Sequence, residues 1–419
     1  MGVAIKETFT DQYTASIGQL SLNTLIFQDD ISKMNDDIEQ AREGCHKIDR
    51  TLKSKLLSAN YDKSKFLIIG KEKFRKNTLK TLEKDPLQMG GVKIEHSEQE
   101  QYLGDWIHEK GCKESITVTI KARIRKLISR TEEILQLVET PGMSCLGGAN
   151  TAFKLYEAQI LPPLLYNCES WISIDDSHIK LLQDFQERFI RRILRLANSV
   201  PKVMLEFDTG MPPMKWRIAQ RKLIFVDRIM AKPVNNITRK ALMQETIYKI
   251  KGLATESRTL CLSLGLPSVM AEVTKNEIKQ AIKAKIREEC LKRMQEGSKS
   301  KDRVDLNPDE TQYLQRLSLS NCRVYFRYRS RCIALVKMNQ KGNKPSESLT
   351  CRFCANNVPE TQEHLEMCTG TEFERRGVRI SEVMGRVIFW RRMMKKMTQK
   401  TATVTSSEVH LPDAPRGGS

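Results

Sequence analysis

Two adjacent carboxylates, Asp29 and Asp30, close the apolar segment Leu25-Ile26-Phe27-Gln28. Their like charges repel, and beside an oily run one of them must turn toward the core side, so something cationic has to compensate the pair. Oxygen donors of this kind suit hard Mg2+, which takes carboxylates together with substrate phosphates. Two such ions about 3.5–4 Å apart can hold the attacking and leaving groups of phosphoryl transfer. A metal-free polar turn carries the same dipeptide. Far along the chain, Cys351-x2-Cys354-x9-His364-x3-Cys368 offers three soft thiolates and an imidazole. That is a closed tetrahedral set suited to structural Zn2+, with no position left open for catalysis. Between them, Arg323, Tyr325, Phe326, Arg327, Tyr328, Arg329 and Arg331 interleave cations with aromatics. Guanidinium groups pair with phosphates bidentately and rings stack on unpaired bases, so the array reads as an RNA or single-strand contact. It reads equally as a half-buried helix with core aromatics and solvated arginines. Arg391, Arg392, Lys395 and Lys396 form a short basic helix end suited to phosphate or to a nuclear-import signal. Histidines 46, 96, 108, 178 and 410 show no convergent partners, and no Ser-His-Asp, phosphate-loop or dinucleotide motif occurs.

The hydrophobic pattern says which elements must carry these groups. From Ser16 to Met34, Leu20, Leu22 and Ile26 alternate with Ser21 and Asn23, predicting a strand that enters a covered core and ends at the acidic pair. Ile38, Ala41, Cys45, Ile48, Leu52 and Leu56 then recur at helical spacing, an amphipathic helix of about six turns with Asn35 as N-cap and Asp36 and Asp37 in its first turn. Segments 65–70 and 92–107 read as further short strands, so a mixed sheet and helix layer is expected over about the first hundred residues. Beyond Trp106 the period is helical. Ile116, Ile120, Ile124, Leu127, Ile128, Ile134, Leu135 and Val138 form one stripe, with Lys121, Arg123, Arg125, Lys126 and Arg130 around the rest. Pro141-Gly142 and Gly147-Gly148 break the chain. Helices are then expected to about Ile160, from Ser177 to Leu196 (Phe185, Phe189, Ile190 and Ile193 inward), and from Pro212-Pro213 to near Met230.

Composition bounds the function classes. The 419 residues carry 70 Lys+Arg against 51 Asp+Glu, a formal charge of +19, with 40% hydrophobic and 29% charged residues. Such a chain folds, and its excess positive charge calls for a polyanionic partner, most commonly nucleic acid. No run approaches the roughly 18 consecutive apolar residues of a membrane span. Lys6 stands where a myristoylation motif wants Ser or Thr, and the N-terminus lacks a signal-peptide core. Eleven cysteines without a framework spacing fit free thiols in a reducing compartment, so an intracellular protein, nuclear or cytoplasmic and not secreted, is expected.

LIFQDD, the amphipathic helix after it, LLSANYDKSKFLIIG and QYLGDWI together resemble consecutive palm motifs of reverse transcriptases from non-LTR retrotransposons, in that family's order. LYEAQILPPLLYNCESW and FIRRILRLANSVPKVMLEFDTGMPPMKWRIAQRKLIF are similar to the family's thumb and following region, so the resemblance covers about residues 15–235. It implies an α+β chain: a truncated polymerase palm sheet, then a mainly α-helical thumb and C-terminal region with a small zinc knuckle like those of several lineages. Asp29 and Asp30 would correspond to the Mg2+-binding pair. Lys63 would match the residue that protonates departing pyrophosphate, with Lys65 its rival and an ordinary exposed lysine pair the plainer reading. Tyr102 and Gly104 would lie in the primer-gripping hairpin, which a plain hairpin also explains. Arg123, Arg125 and Lys126 would grip the duplex of RNA template and DNA primer, with dNTP as the substrate of an intact enzyme.

The family pattern is incomplete here. About 26 residues precede Phe27, leaving no room for fingers or for a strand with a third aspartate. The expectation is therefore a C-terminal half, inactive as a polymerase by itself: a partial RNA-directed DNA polymerase, or alternatively a non-catalytic retrotransposon-derived nucleic-acid-binding zinc protein. Expected divisions are 1–106 partial palm, 107–235 thumb, 236–345 basic helical linker, 346–370 knuckle, 371–400 basic helix and 401–419 disordered tail.

Overall fold

The computed structural model describes residues 15–17, 20–22, 24–27, 30–144, 147–267, 273–297, 312–330, 350–354, 356, 358–380 and 382–407. Asp29, Arg331 and His410 lie outside them. The expected single strand over Ser16–Met34 is two hairpins instead. β1 (Ala15–Ile17) pairs antiparallel with β2 (Leu20–Leu22), and β3 (Thr24–Phe27) with β4 (Asp30–Lys33), Phe27 opposite Asp30. Asp30 therefore opens a returning strand and is exposed rather than entering a covered core. Polar residues such as Asn23, Gln28 and Asp29 interrupt the apolar run too often for one long strand.

Helix α1 (Ile38–Ser54) is capped two residues later than expected: the Asp37 carboxylate, not Asn35, accepts the Gln40 backbone N–H at 2.8 Å. Its stripe Ile38, Ala41, Cys45 and Ile48 packs on Ile68, Leu82, Leu87, Met89 and Ile94. Leu56 is not part of that stripe. The helix has ended, the residue sits at φ 57°, and its side chain is 96% exposed. The 65–70 segment gives only β5 (Lys65–Phe66), followed by α2 (Glu72–Lys84); β6 (Gln88–Met89) pairs with β7 (Val92–Lys93), β8 (Glu95–His96) runs parallel to β5, and β9 (Gln99–Tyr102) pairs with β10 (Asp105–His108). Among the described residues the strands thus form five two-stranded ladders, not one palm-like sheet. Strands of two to four residues are too short to build a broad twisted sheet, and the first hundred residues instead cohere through α1 and α2.

The helical expectation holds beyond this point. α3 (Cys112–Glu139) buries Ile116, Ile120, Leu127, Ile134 and Val138, though Ile128 is 48% exposed. α4 (Gly148–Leu155) leads through one π turn, Tyr156–Ile160, into the short α5 (Leu161–Leu164). α6 (Asp176–Leu194) buries the anticipated Phe185, Phe189, Ile190 and Ile193. Then come α7 (Lys202–Thr209), α8 (Met214–Met230), opened by Pro213, α9 (Ile237–Ile247), α10 (Leu253–Ser263) and α11 (Lys275–Glu296). The last elements are α12 (Tyr313–Arg316), α13 (Leu319–Arg329), α14 (Gln362–Met367), α15 (Glu372–Arg375) and α16 (Val383–Ser407). The final helix runs past residue 400, where a disordered tail was expected to begin. The architecture is mostly helical with a few small strands, compatible with α+β, and no described helix is long and apolar enough to cross a membrane.

The chain forms two compact units, each gathered from three stretches: 1–128, 159–185 and 212–289 in the first, 129–158, 186–211 and 290–419 in the second. In the first, Trp216, Leu223, Val226, Leu242, Leu253, Cys261 and Ile278 bring α8 to α11 around one core. In the second, Val324 of α13 joins Phe389, Trp390 and Met393 of α16 around Cys351, Leu365 and Cys368.

Candidate functional site

The second unit carries the best-defined constellation. Cys351 follows an isolated bridge between Thr350 and Pro359, and Cys354 lies in the turn that this bridge closes. Thr361 caps α14 by accepting the His364 backbone N–H at 3.1 Å, which fixes the helix turn that presents His364. Cys368 caps the other end of α14. The four ligand atoms lie within 4.8 Å of one another. Cys351 Sγ and Cys368 Sγ are 3.7 Å apart, and Cys354 Sγ and His364 Nε2 3.4 Å. A metal held tetrahedrally by thiolates at about 2.3 Å and an imidazole at about 2.0 Å sets edges of roughly 3.8 and 3.5 Å, so the spacing fits. Burial, together with hydrogen bonding among the thiols, pushes Cys368 above its ordinary value; a cation at their centre reverses that penalty. The Phe353 N–H points at Cys351 Sγ from 3.4 Å. The four side chains can hold a structural metal such as zinc, and they leave it no open coordination position. The expected ligand set is the one the fold assembles.

In the first unit, the charge of Asp30 reaches Tyr102. Burial first, and then the negative charge of Asp30, push the Tyr102 phenol above its ordinary value. Lys63 ends a single 3-10 turn, Tyr61–Lys63, and is exposed, whereas its rival Lys65 is ion-paired to Glu95. Tyr102 and Asp105 flank a two-residue hairpin turn whose Leu103 and Gly104 have φ of 49° and 85°. Arg123, expected on a nucleic-acid face, is instead a structural clamp. It donates to the carbonyls of Tyr166 (2.6 Å) and Gly104 (2.9 Å) and to Asp105 Oδ1 (2.6 Å), with only 11% of its side chain exposed. Arg125 and Lys126, on the same helix, are exposed and form no ion pair with any described residue.

The basic and aromatic array is corrected more sharply. Arg329 is fully buried and donates through Nε and Nη2 to Asp208, itself fully buried, with Tyr313 Oη completing the group at 3.0 Å from Asp208. Arg323 donates to Glu139 (2.6 Å) and to the Ile193 carbonyl (2.9 Å), and Arg327 to the Arg195 carbonyl (2.7 Å). Tyr325 and Phe326 are core. Of the basic end of α16, Arg391 bonds Asn321, Arg392 the carbonyls of Glu374 and Arg376, and Lys396 Glu374 and the Gly370 carbonyl. These cations hold the fold together.

Sequence reasoning missed the partners of His178, which is buried between Asp175 (2.7 Å) and Thr117 (2.9 Å) and joins the starts of α3 and α6. It also missed a groove of about 430 Å3 beside the β9–β10 hairpin, to which Tyr166 and Trp106 contribute. The available signal was an aromatic after Pro162-Pro163 with no place in any helical stripe. Comparison of the chain with protein-family models and with curated proteins finds no match.

Proposed function

We propose that this chain binds template–primer nucleic acid as part of a reverse transcriptase of the non-LTR retrotransposon type, with a structural Zn2+ module in its second unit. What supports the reading is that Asp30 lies near enough to Tyr102 for its carboxylate charge to act on the phenol. The resemblance assigns the former to the metal-binding pair and the latter to the primer-gripping hairpin, two motifs 72 residues apart in sequence (102 − 30). Exposed Lys126 on the next helix supplies phosphate-seeking charge at the groove beside that hairpin, and exposed Arg125 adds charge elsewhere on the same helix. Asp30 with Asp29 would hold Mg2+ jointly with phosphate oxygens, and the ion would supply charge stabilisation at the primer end. Lys63, rather than the ion-paired Lys65, is the lysine free to donate a proton. Three thiolates and an imidazole at tetrahedral spacing favour Zn2+ over harder ions.

Among the described residues, five two-stranded ladders in place of a continuous sheet favour the neighbouring reading, a retrotransposon-derived zinc protein that binds nucleic acid without catalysis. Both readings predict binding of an RNA–DNA hybrid with an affinity that falls steeply as salt rises. Titrating a labelled hybrid at several ionic strengths tests this: a flat response or no binding refutes both. Primer extension with Mg2+ separates them when fingers and a strand with the third aspartate are supplied on a second chain: incorporation that Asp30→Ala abolishes supports a catalytic carboxylate pair, and no incorporation supports binding without catalysis.

A further inference from the structure

The groove beside the hairpin is built so that one aromatic ring stays open. Leu103 and Gly104 both have positive φ, the backbone of a tight turn that suits a twisted hairpin. A Cβ on Gly104 would stand 3.2 Å from the Tyr166 ring and push it back by a few tenths of an ångström, at a φ of 85° that strains any residue but glycine. Arg123 pins the Tyr166 carbonyl and the Gly104 carbonyl at once, and its guanidinium lies 5.5 Å from the centre of the Tyr166 ring. The Tyr166 carbonyl is thus held by Arg123 while its side chain remains 53% exposed. Gln101, Trp106, Arg123, Lys126, Pro163 and Tyr166 surround about 430 Å3, within the size range of small-molecule pockets. The nearby carboxylate, Asp105, is occupied by Arg123 and Asn167, so the charge left toward the groove is positive.

Resting on the nucleic-acid reading above and deepening it, we propose that this groove takes a single unpaired nucleotide, its base stacked on Tyr166 and its phosphate at Lys126. An exposed ring offers a stacking surface to any base, but a base has a free face only outside a duplex. Gln101 at the rim can pair with a base edge, and Lys126 supplies the cation that a following phosphate needs. The occupant is therefore single-stranded overhang rather than paired duplex.

The test compares two hybrids on the full chain, one blunt and one with a short unpaired overhang carrying 2-aminopurine, whose fluorescence is quenched on stacking. The overhang is expected to bind about tenfold more tightly than the blunt hybrid, with quenching. Tyr166→Leu should erase both the preference and the quenching while leaving blunt binding unchanged, Tyr166→Phe should keep both, and Gly104→Ala should weaken both by crowding the ring. Equal binding of the two hybrids by the native chain, or undiminished preference in Tyr166→Leu, overturns the proposal while duplex binding still stands. Failure to bind either hybrid sinks the parent reading, and this one with it.

Discussion

Helices α3 and α13 look alike in sequence, each mixing arginines with large apolar side chains, and they spend those arginines differently. In α13 the described guanidinium groups are committed: Arg329 to buried Asp208, Arg323 to Glu139 and a carbonyl, Arg327 to another carbonyl. In α3, Arg123 is spent in the same way, but Arg125 and Lys126 face outward with no ion pair to a described residue. A count of cations therefore says little about binding until each has been assigned its partners. The α13 cations act as internal fasteners, and exposed α3 cations such as Lys121, Arg125 and Lys126 are where polyanion affinity is expected.

The contrast breaks most violently at the metal. Val324 of α13 shares a core with Cys351 and Cys368, and Tyr328 lies 5.9 Å from the ring of Trp390. Stripping the metal with a chelator, or Cys368→Ser, should unravel this cluster, because binding free energies of about 10–16 kcal/mol accompany such sites in zinc-finger peptides. Trp390, fully buried and donating to Glu366 at 3.0 Å, should shift its emission to the red as it meets water. An unchanged spectrum after verified metal loss would show that the module stands without it.

Next in size is the buried fastener. Asp208→Ala removes the buried carboxylate partner of Arg329, a loss of about 3–5 kcal/mol that denaturant melting should register. Replacing the exposed Arg125 and Lys126 should leave stability within about 0.5 kcal/mol. If both changes cost the same, the distinction between the helices fails.

The smallest effect sharpens the comparison from the acidic side. The Glu139 carboxyl is held below its usual range by its hydrogen bond to Arg323, and then by Arg195. A depressed carboxylate contributes stability above its unfolded value that is lost as pH falls through the folded one. Glu139→Gln should therefore flatten the acid limb of the stability profile slightly, by no more than about 1 kcal/mol for so exposed a cluster. An identical acid limb in the variant would mean that the pair contributes nothing.

The cluster that can hold a metal was legible in the sequence because its four donors sit within 18 residues and their types favour tetrahedral geometry. The stripes of α3 and α6 were legible because burial at helical period leaves a regular trace. What escaped depends on distant pairing. Arg329 meets Asp208 across 121 residues, and nothing local to either marks it as buried. The palm-like sheet was over-read, since alternation in Leu20, Leu22 and Ile26 is shared by long strands and by consecutive short hairpins. Tyr166 escaped because its use depends on Gly104 and Arg123 from other elements.

The most direct test of the account measures how the affinity for an RNA–DNA hybrid changes with salt in three proteins: native, Arg125→Ala/Lys126→Ala, and Arg327→Ala. The account predicts that the α3 double variant loses roughly one unit of salt slope per removed cation, while Arg327→Ala keeps the native slope. A native slope in the α3 variant, with a reduced one in Arg327→Ala, would contradict it.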